Sequence, residues 1–151
     1  MASAHDVAAY VLSKVGPVST MKLQKLVYYS QAWSLVWDED PLFQERIEAW
    51  ANGPVVRELF AEHRGQFSVG EWPRGDVDHL TPDQRKSIDV VVDTYGKLTG
   101  KQLSEMTHNE DPWRKARAGL PAHVGSNAEI SPDAMKEFYS SLLDRDDAET
   151  V

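Results

Sequence analysis

The sequence predicts a mainly α-helical single domain, a compact bundle packed around one central buried helix at about 20–37. Three observations predict it. Helix starts recur along the chain, each placing a capping Ser, Thr or Asp before an apolar stripe at helical spacing. The stretch 20–37 is apolar on two opposite faces, the pattern of a helix covered from both sides. A length of 151 residues, 41% hydrophobic and 26% charged, suits one ordinary core.

The first helix starts at Ser3, with Asp6 in the capping-box position and Val7, Ala8, Val11, Leu12 and Val15 as its stripe. Gly16-Pro17 ends it. Ser19 or Thr20 caps the central helix. There Leu23, Leu26, Val27, Trp33 and Trp37 share one arc, and Met21, Tyr28, Tyr29, Ala32, Leu35 and Val36 the opposite one. Gln24 and Gln31 occupy a narrow polar seam between them. The helical period fails after Pro41, where Leu42, Phe43, Ile47, Ala49 and Trp50 suit a short β-hairpin near 42–51. Asn52-Gly53-Pro54 reads as a turn, with Pro54 opening a helix that turns Val56, Leu59, Phe60 and His63 inward.

Residues 65–80, with Gly65, Gly70, Pro73 and Gly75 among charges, read as a long connection, the kind of segment that carries function. Further helices start at Thr81-Pro82, Thr99 and Asp111-Pro112. A last one starts at Ser131-Pro132 and buries Met135, Phe138, Tyr139, Leu142 and Leu143. The domain is expected to span 1–143, followed by a frayed acidic tail over 144–151. Leu26, Trp33, Trp50, Val92 and Phe138 are expected to be largely buried.

Composition narrows the function. The chain has no cysteine, which excludes disulfides, thiolate catalysis and Cys-type zinc sites. No apolar run approaches the roughly 20 residues of a membrane span, and the N-terminus lacks the pattern of a signal peptide. A cytoplasmic protein is expected. The net charge of −8 disfavours binding to nucleic-acid phosphates and favours a basic protein partner.

Candidate chemistry is sparse. His108 and Glu110 could form a general base or a metal pair. The stronger reading is a polar link between two short helices, with Asp111 capping and His108 bonded to nearby backbone. Lys22 and Lys25 could pair with carboxylates or present cations to a ligand. Lysines snorkelling from the start of a buried helix are the ordinary case. Among five tryptophans, Trp72 lies in the 65–80 connection with little around it, which makes it a candidate interface anchor. Glu71, Asp76 and Asp78 surround it as candidate steering charges. No catalytic residue, metal or cofactor is expected.

One string carries a resemblance. Lys22-Leu23-Gln24-Lys25-Leu26-Val27-Tyr28-Tyr29-Ser30-Gln31-Ala32-Trp33 resembles the opening helix signature of the Panacea domain family, the SocA-like antitoxins. It continues in order through Pro41-Leu42-Phe43, Ile47-Glu48-Ala49-Trp50 and Asn52-Gly53-Pro54-Val55-Val56. Leu103-Ser104, then Thr107-His108 through Pro112-Trp113 to Arg117, and a last helix with Phe138-Tyr139 complete it. The resemblance implies a helical domain encoded beside a toxin in bacteria, phages or prophages, which neutralises that toxin by direct, stoichiometric contact. It also implies an alternative, adaptor-type delivery of the toxin to a Clp-type protease. Some members of this family carry an added DNA-binding domain, for which no segment is expected here. The motif residues Lys22, Leu23, Lys25, Leu26, Tyr28, Trp33, Trp50, Gly53, Pro54, His108, Pro112 and Trp113 are expected to be mostly structural.

Overall fold

The computed structural model describes residues 1–150, with side chains described as far as Asp144. The frayed tail expected over 144–151 lies, beyond Asp144, outside the residues whose side chains are described. The chain runs α1 (Ala4–Val15), β1 (Val18–Ser19), α2 (Thr20–Trp37), β2 (Ile47–Trp50), β3 (Gly53–Val56) and α3 (Arg57–His63). It continues through β4 (Ser68–Val69), a 3-10 turn (Val77–His79), α4 (Pro82–Tyr95), α5 (Gly100–His108), α6 (Asp111–Ala116), β5 (Glu129–Ile130) and α7 (Pro132–Thr150).

Local signals set the helix starts. Ser3 and Asp6 form a capping box at α1, and Thr81 with Gln84 and Thr99 with Gln102 do the same for α4 and α5. Each box satisfies two backbone N–H groups that a helix start leaves without partners. Gly16 closes α1 at φ 73°, a conformation that costs glycine little.

As the two apolar arcs predict, α2 is the axis of the domain. Every residue from Leu23 to Leu35 is buried. It packs against α1, α4, α5, α7 and β3. The polar seam is used up by backbone. Gln24 Oε1 accepts from Val56 N–H at 2.9 Å while its Nε2 donates to Val56 O at 3.2 Å. Gln31 grips the chain at 42–43 in the same way, accepting from Leu42 N–H and donating to Phe43 O. Each amide thus replaces a strand partner that the buried backbone would otherwise lack.

Two small sheets complete the fold. β1 pairs antiparallel with β4 through Val18↔Val69 and Ser19↔Ser68. β2 lies between β3 and β5, with Ile47 opposite both Val56 and Ile130.

Three expectations are corrected. The hairpin lies at 47–56 rather than 42–51: Leu42 and Phe43 are buried as loop, held by Gln31. Pro54 belongs to β3 rather than to a helix start, which its missing N–H allows because β3 is an edge strand; the helix begins at Arg57. Leu26 and Trp33 are buried, whereas Trp50, Val92 and Phe138 are only partly so, and Leu143 is exposed.

Candidate functional site

At the N-terminal end of α2 a groove opens over a lysine. Ser19 caps the helix by accepting from Lys22 N–H. Thr20 N–H donates to Phe67 O at 2.9 Å, fastening the segment around β4 beside this helix end. Lys22 Nζ reaches across to Gly96 O at 2.7 Å, where it satisfies the carbonyl that ends α4. One turn further in, Lys25 is 2% exposed. No hydrogen bond or ion pair reaches its amine among the described residues. Neither snorkelling nor a carboxylate partner accounts for it.

Gly53 explains how the hairpin can lie on this lysine. A β-carbon there would stand 2.6 Å from Lys25 Cε and 2.9 Å from Thr107 Oγ1, and the backbone has φ +118°. Only glycine meets both conditions without strain.

Lys25 lines a cavity of ≈ 370 Å³ together with Met21, Trp50, Asn52, Val55, Phe60 and His63. Trp50 and Phe60 meet edge to face at 4.9 Å. Trp50 is oriented by donating from Nε1 to Glu48 Oε1 at 2.8 Å. Glu48 is itself occupied by Arg57 at 2.9 Å and Arg46 at 3.4 Å. An adjoining recess of ≈ 620 Å³ shares Thr20, Met21 and Asn52 and is bounded by Phe67, Gly100 and Ser104. Phe67 stands at its side 86% exposed, an aromatic ring in water at the edge of an apolar groove.

The electrostatics are one-sided. Burial pushes the Lys25 ammonium down to about 7, and no opposite charge offsets it. His63 accepts on Nε2 from the Gln24 amide at 3.0 Å, the neutral tautomer, and its pKa is lowered by burial and then by Lys25. His108 is lowered for the same first reason, with Lys25 and Arg117 also acting against its charged form.

His108 and Glu110 do not form a pair. The His108 ring stacks on Trp113 at 4.2 Å, and its Nε2 is buried with no hydrogen-bond partner among the described residues. Glu110 turns the other way and accepts from Tyr29 at 2.6 Å and Tyr139 at 2.8 Å. Burial raises its pKa, and the two tyrosine hydroxyls partly reverse that. Asp111, expected to cap α6, instead forms an exposed ion pair with Lys115. Trp113 Nε1 donates to Trp50 O, and the buried Arg117 donates to Ala49 O and to the carbonyls of Pro121, Ala122 and Val124. The Trp113–Arg117 stretch therefore supports β2 from behind. Among the described residues no group of three or more His, Asp or Glu could hold a metal ion, and no helix is long and apolar enough to cross a membrane.

The 65–80 segment packs back on α1. Trp72 is half-buried and donates from Nε1 to His5 Nδ1 at 3.1 Å. Asp6 accepts from Asp76 N–H and meets His79 at 3.2 Å. Glu71, Asp76 and Asp78 are exposed, with Asp78 beside Arg85 at 3.3 Å. Sequence reasoning singled out Trp72 here and passed over Phe67. It also missed Met21 and Phe60 as groove walls, because their spacing reads as ordinary core.

A family described as antitoxin SocA-like, Panacea domain, matches residues 23–114, from α2 into α6. The chain is 26% identical over 153 residues to Antitoxin SocA of Caulobacter vibrioides, covering 90% of this chain and 81% of that protein. No solved structure matches.

Proposed function

The chain belongs to the SocA-like, Panacea-domain antitoxin family, and from that premise we propose that it neutralises a cognate protein toxin by direct, stoichiometric binding in the cytoplasm. The observation that carries the mode of action is Phe67. A ring exposed to 86% beside an apolar groove keeps its apolar surface in water, at a cost that a covering partner would remove. Once desolvated at the centre of an interface, a few side chains, aromatic ones prominent among them, carry most of its binding energy. Phe67 is assigned the anchor role over Trp72, whose indole is committed to His5. The exposed acids Glu71, Asp76 and Asp78 of the same segment, within a net charge of −8, supply long-range steering toward a basic toxin surface.

Binding and catalysis separate by stoichiometry. The chain and the protein encoded beside it are co-purified and the toxin is titrated. A fixed molar ratio at full neutralisation and co-elution on a sizing column are expected. Neutralisation at a small fraction of one equivalent would overturn the binding mechanism.

A further inference from the structure

Lys25 is 2% exposed and no protein group bonds its amine, so its charged form gives up most of its hydration without a protein partner in return, at a cost. An apolar residue of the same length would remove that cost. Lys25 is therefore a position where the fold carries a liability. The groups that face it make the liability plainer. α3 contributes His63, held neutral by Gln24. α5 contributes Thr107, whose hydroxyl is given to Ser104 O, and His108, which is pushed toward its neutral form. The hairpin contributes Gly53 and the backbone of Asn52. The carboxylate of β2, Glu48, is taken by Arg46, Arg57 and Trp50. Arg117 adds a further positive charge behind Trp113. In a chain with eight more acids than bases, no acid acts on this lysine.

The cavity in front of the amine supplies the other half of a recognition site. Its ≈ 370 Å³ is of ligand size, and Met21, Trp50 and Phe60 give it apolar walls. We infer that this cavity binds a carboxylate carried on an aromatic or aliphatic body, with the acid on Lys25 Nζ and the body against the wall that Trp50 and Phe60 form together. A single amine with no guanidinium beside it suits a monoanion rather than a phosphate dianion, which calls for more donors. An incoming carboxylate supplies the missing countercharge, so the amine is protonated as it binds.

Such an acid has two sources: a free small molecule, or an acidic side chain or chain end of a bound protein. The second source rests on the antitoxin reading; the first does not.

The test uses 3-phenylpropanoate and its uncharged amide, 3-phenylpropanamide, titrated into the whole protein and followed by two-dimensional amide NMR. The acid is expected to bind about tenfold or more tightly than the amide, one charge-assisted hydrogen bond's worth of preference, with shifts at Met21, Asn52 and Phe60. In Lys25→Met the acid and the amide are expected to bind alike. Equal affinity of the two compounds in the unaltered protein, or shifts that avoid the cavity, would overturn the inference without reference to any variant's folding. The same titration on the purified toxin complex separates the sources. Exclusion of the acid identifies an acid of the toxin in the cavity, and undiminished binding identifies a free acid. If the neighbouring protein does not bind at all, the antitoxin reading fails while the acid–amide comparison still decides the cavity.

Discussion

Gly53 sits directly against the Lys25 side chain, closer than any other residue type at position 53 would permit. The turn of the hairpin and the buried amine are therefore one unit. Gly53→Ala would place its methyl group within 2.6 Å of Lys25 Cε at a φ of +118°. A loss of about 2–4 kcal/mol in urea unfolding is expected from the combined clash and backbone strain. Shortening the lysine in Lys25→Ala/Gly53→Ala should recover part of it, since the side-chain clash goes while the strained φ stays. No recovery would show that the two residues are not coupled.

Lys25 also sets a pH dependence. Its pKa falls from 10.5 to about 7 on folding because burial disfavours the charge. Between those values the unfolded chain holds a proton that the folded chain lacks, so stability rises with pH across the window. Below about pH 7 the penalty is fully present. Lys25→Met is expected to be more stable than the unaltered protein near neutral pH, by about 1–4 kcal/mol. The gap should close toward pH 10.5. Denaturant melts at several pH values give both quantities, and a gap independent of pH would refute the buried, unpaired amine.

Trp33 in the core and Trp50 at the groove wall should behave differently. Trp33 is 8% exposed and donates to Tyr95 at 2.9 Å, so Trp33→Ala is expected to cost about 3–5 kcal/mol. Trp50 is half-buried at the cavity, and Trp50→Ala should cost less, about 1–2 kcal/mol. Calorimetric melting of the two variants orders them, and a larger loss at Trp50 would mean that it is core rather than groove wall.

The Phe67 ring, 86% exposed, is expected to touch the partner rather than the core of the fold. Phe67→Ala is expected to leave the melting temperature within a degree or so, since surface changes of this kind stay near ±0.5 kcal/mol. It should speed dissociation of the toxin complex by roughly tenfold or more, as loss of an anchor does. Surface-based kinetics read this directly, and an unchanged off-rate would move the interface elsewhere.

Charge should act on the other rate constant. Raising salt from low to physiological concentration is expected to slow association several-fold, because charges beyond about 8 Å are screened. Dissociation should change much less. Neutralising Glu71, Asp76 and Asp78 together should flatten the salt dependence. An association rate indifferent to salt would remove steering from the mechanism.

Much of the fold was legible in the sequence because its signals are local. Ser3 with Asp6, Thr81 with Gln84 and Thr99 with Gln102 act across three residues, so a helix start is readable without knowing what lies around it. The two apolar arcs of α2 likewise announce a helix enclosed on both sides. The Lys22–Trp33 string and the blocks after it carried the family. The groove was not legible. β1 and β4 are two residues each and pair across about fifty positions of chain, too short to leave an alternating pattern. The displaced hairpin goes with two glutamines on α2, Gln31 holding Leu42 and Phe43 as loop and Gln24 taking the backbone of Val56. The isolation of Lys25 is a property of what four other segments fail to bring to it. Residue type and spacing determine which helices form and where they start. Which charge is left without a counterion, and which ring is left in water, is decided only when those helices pack.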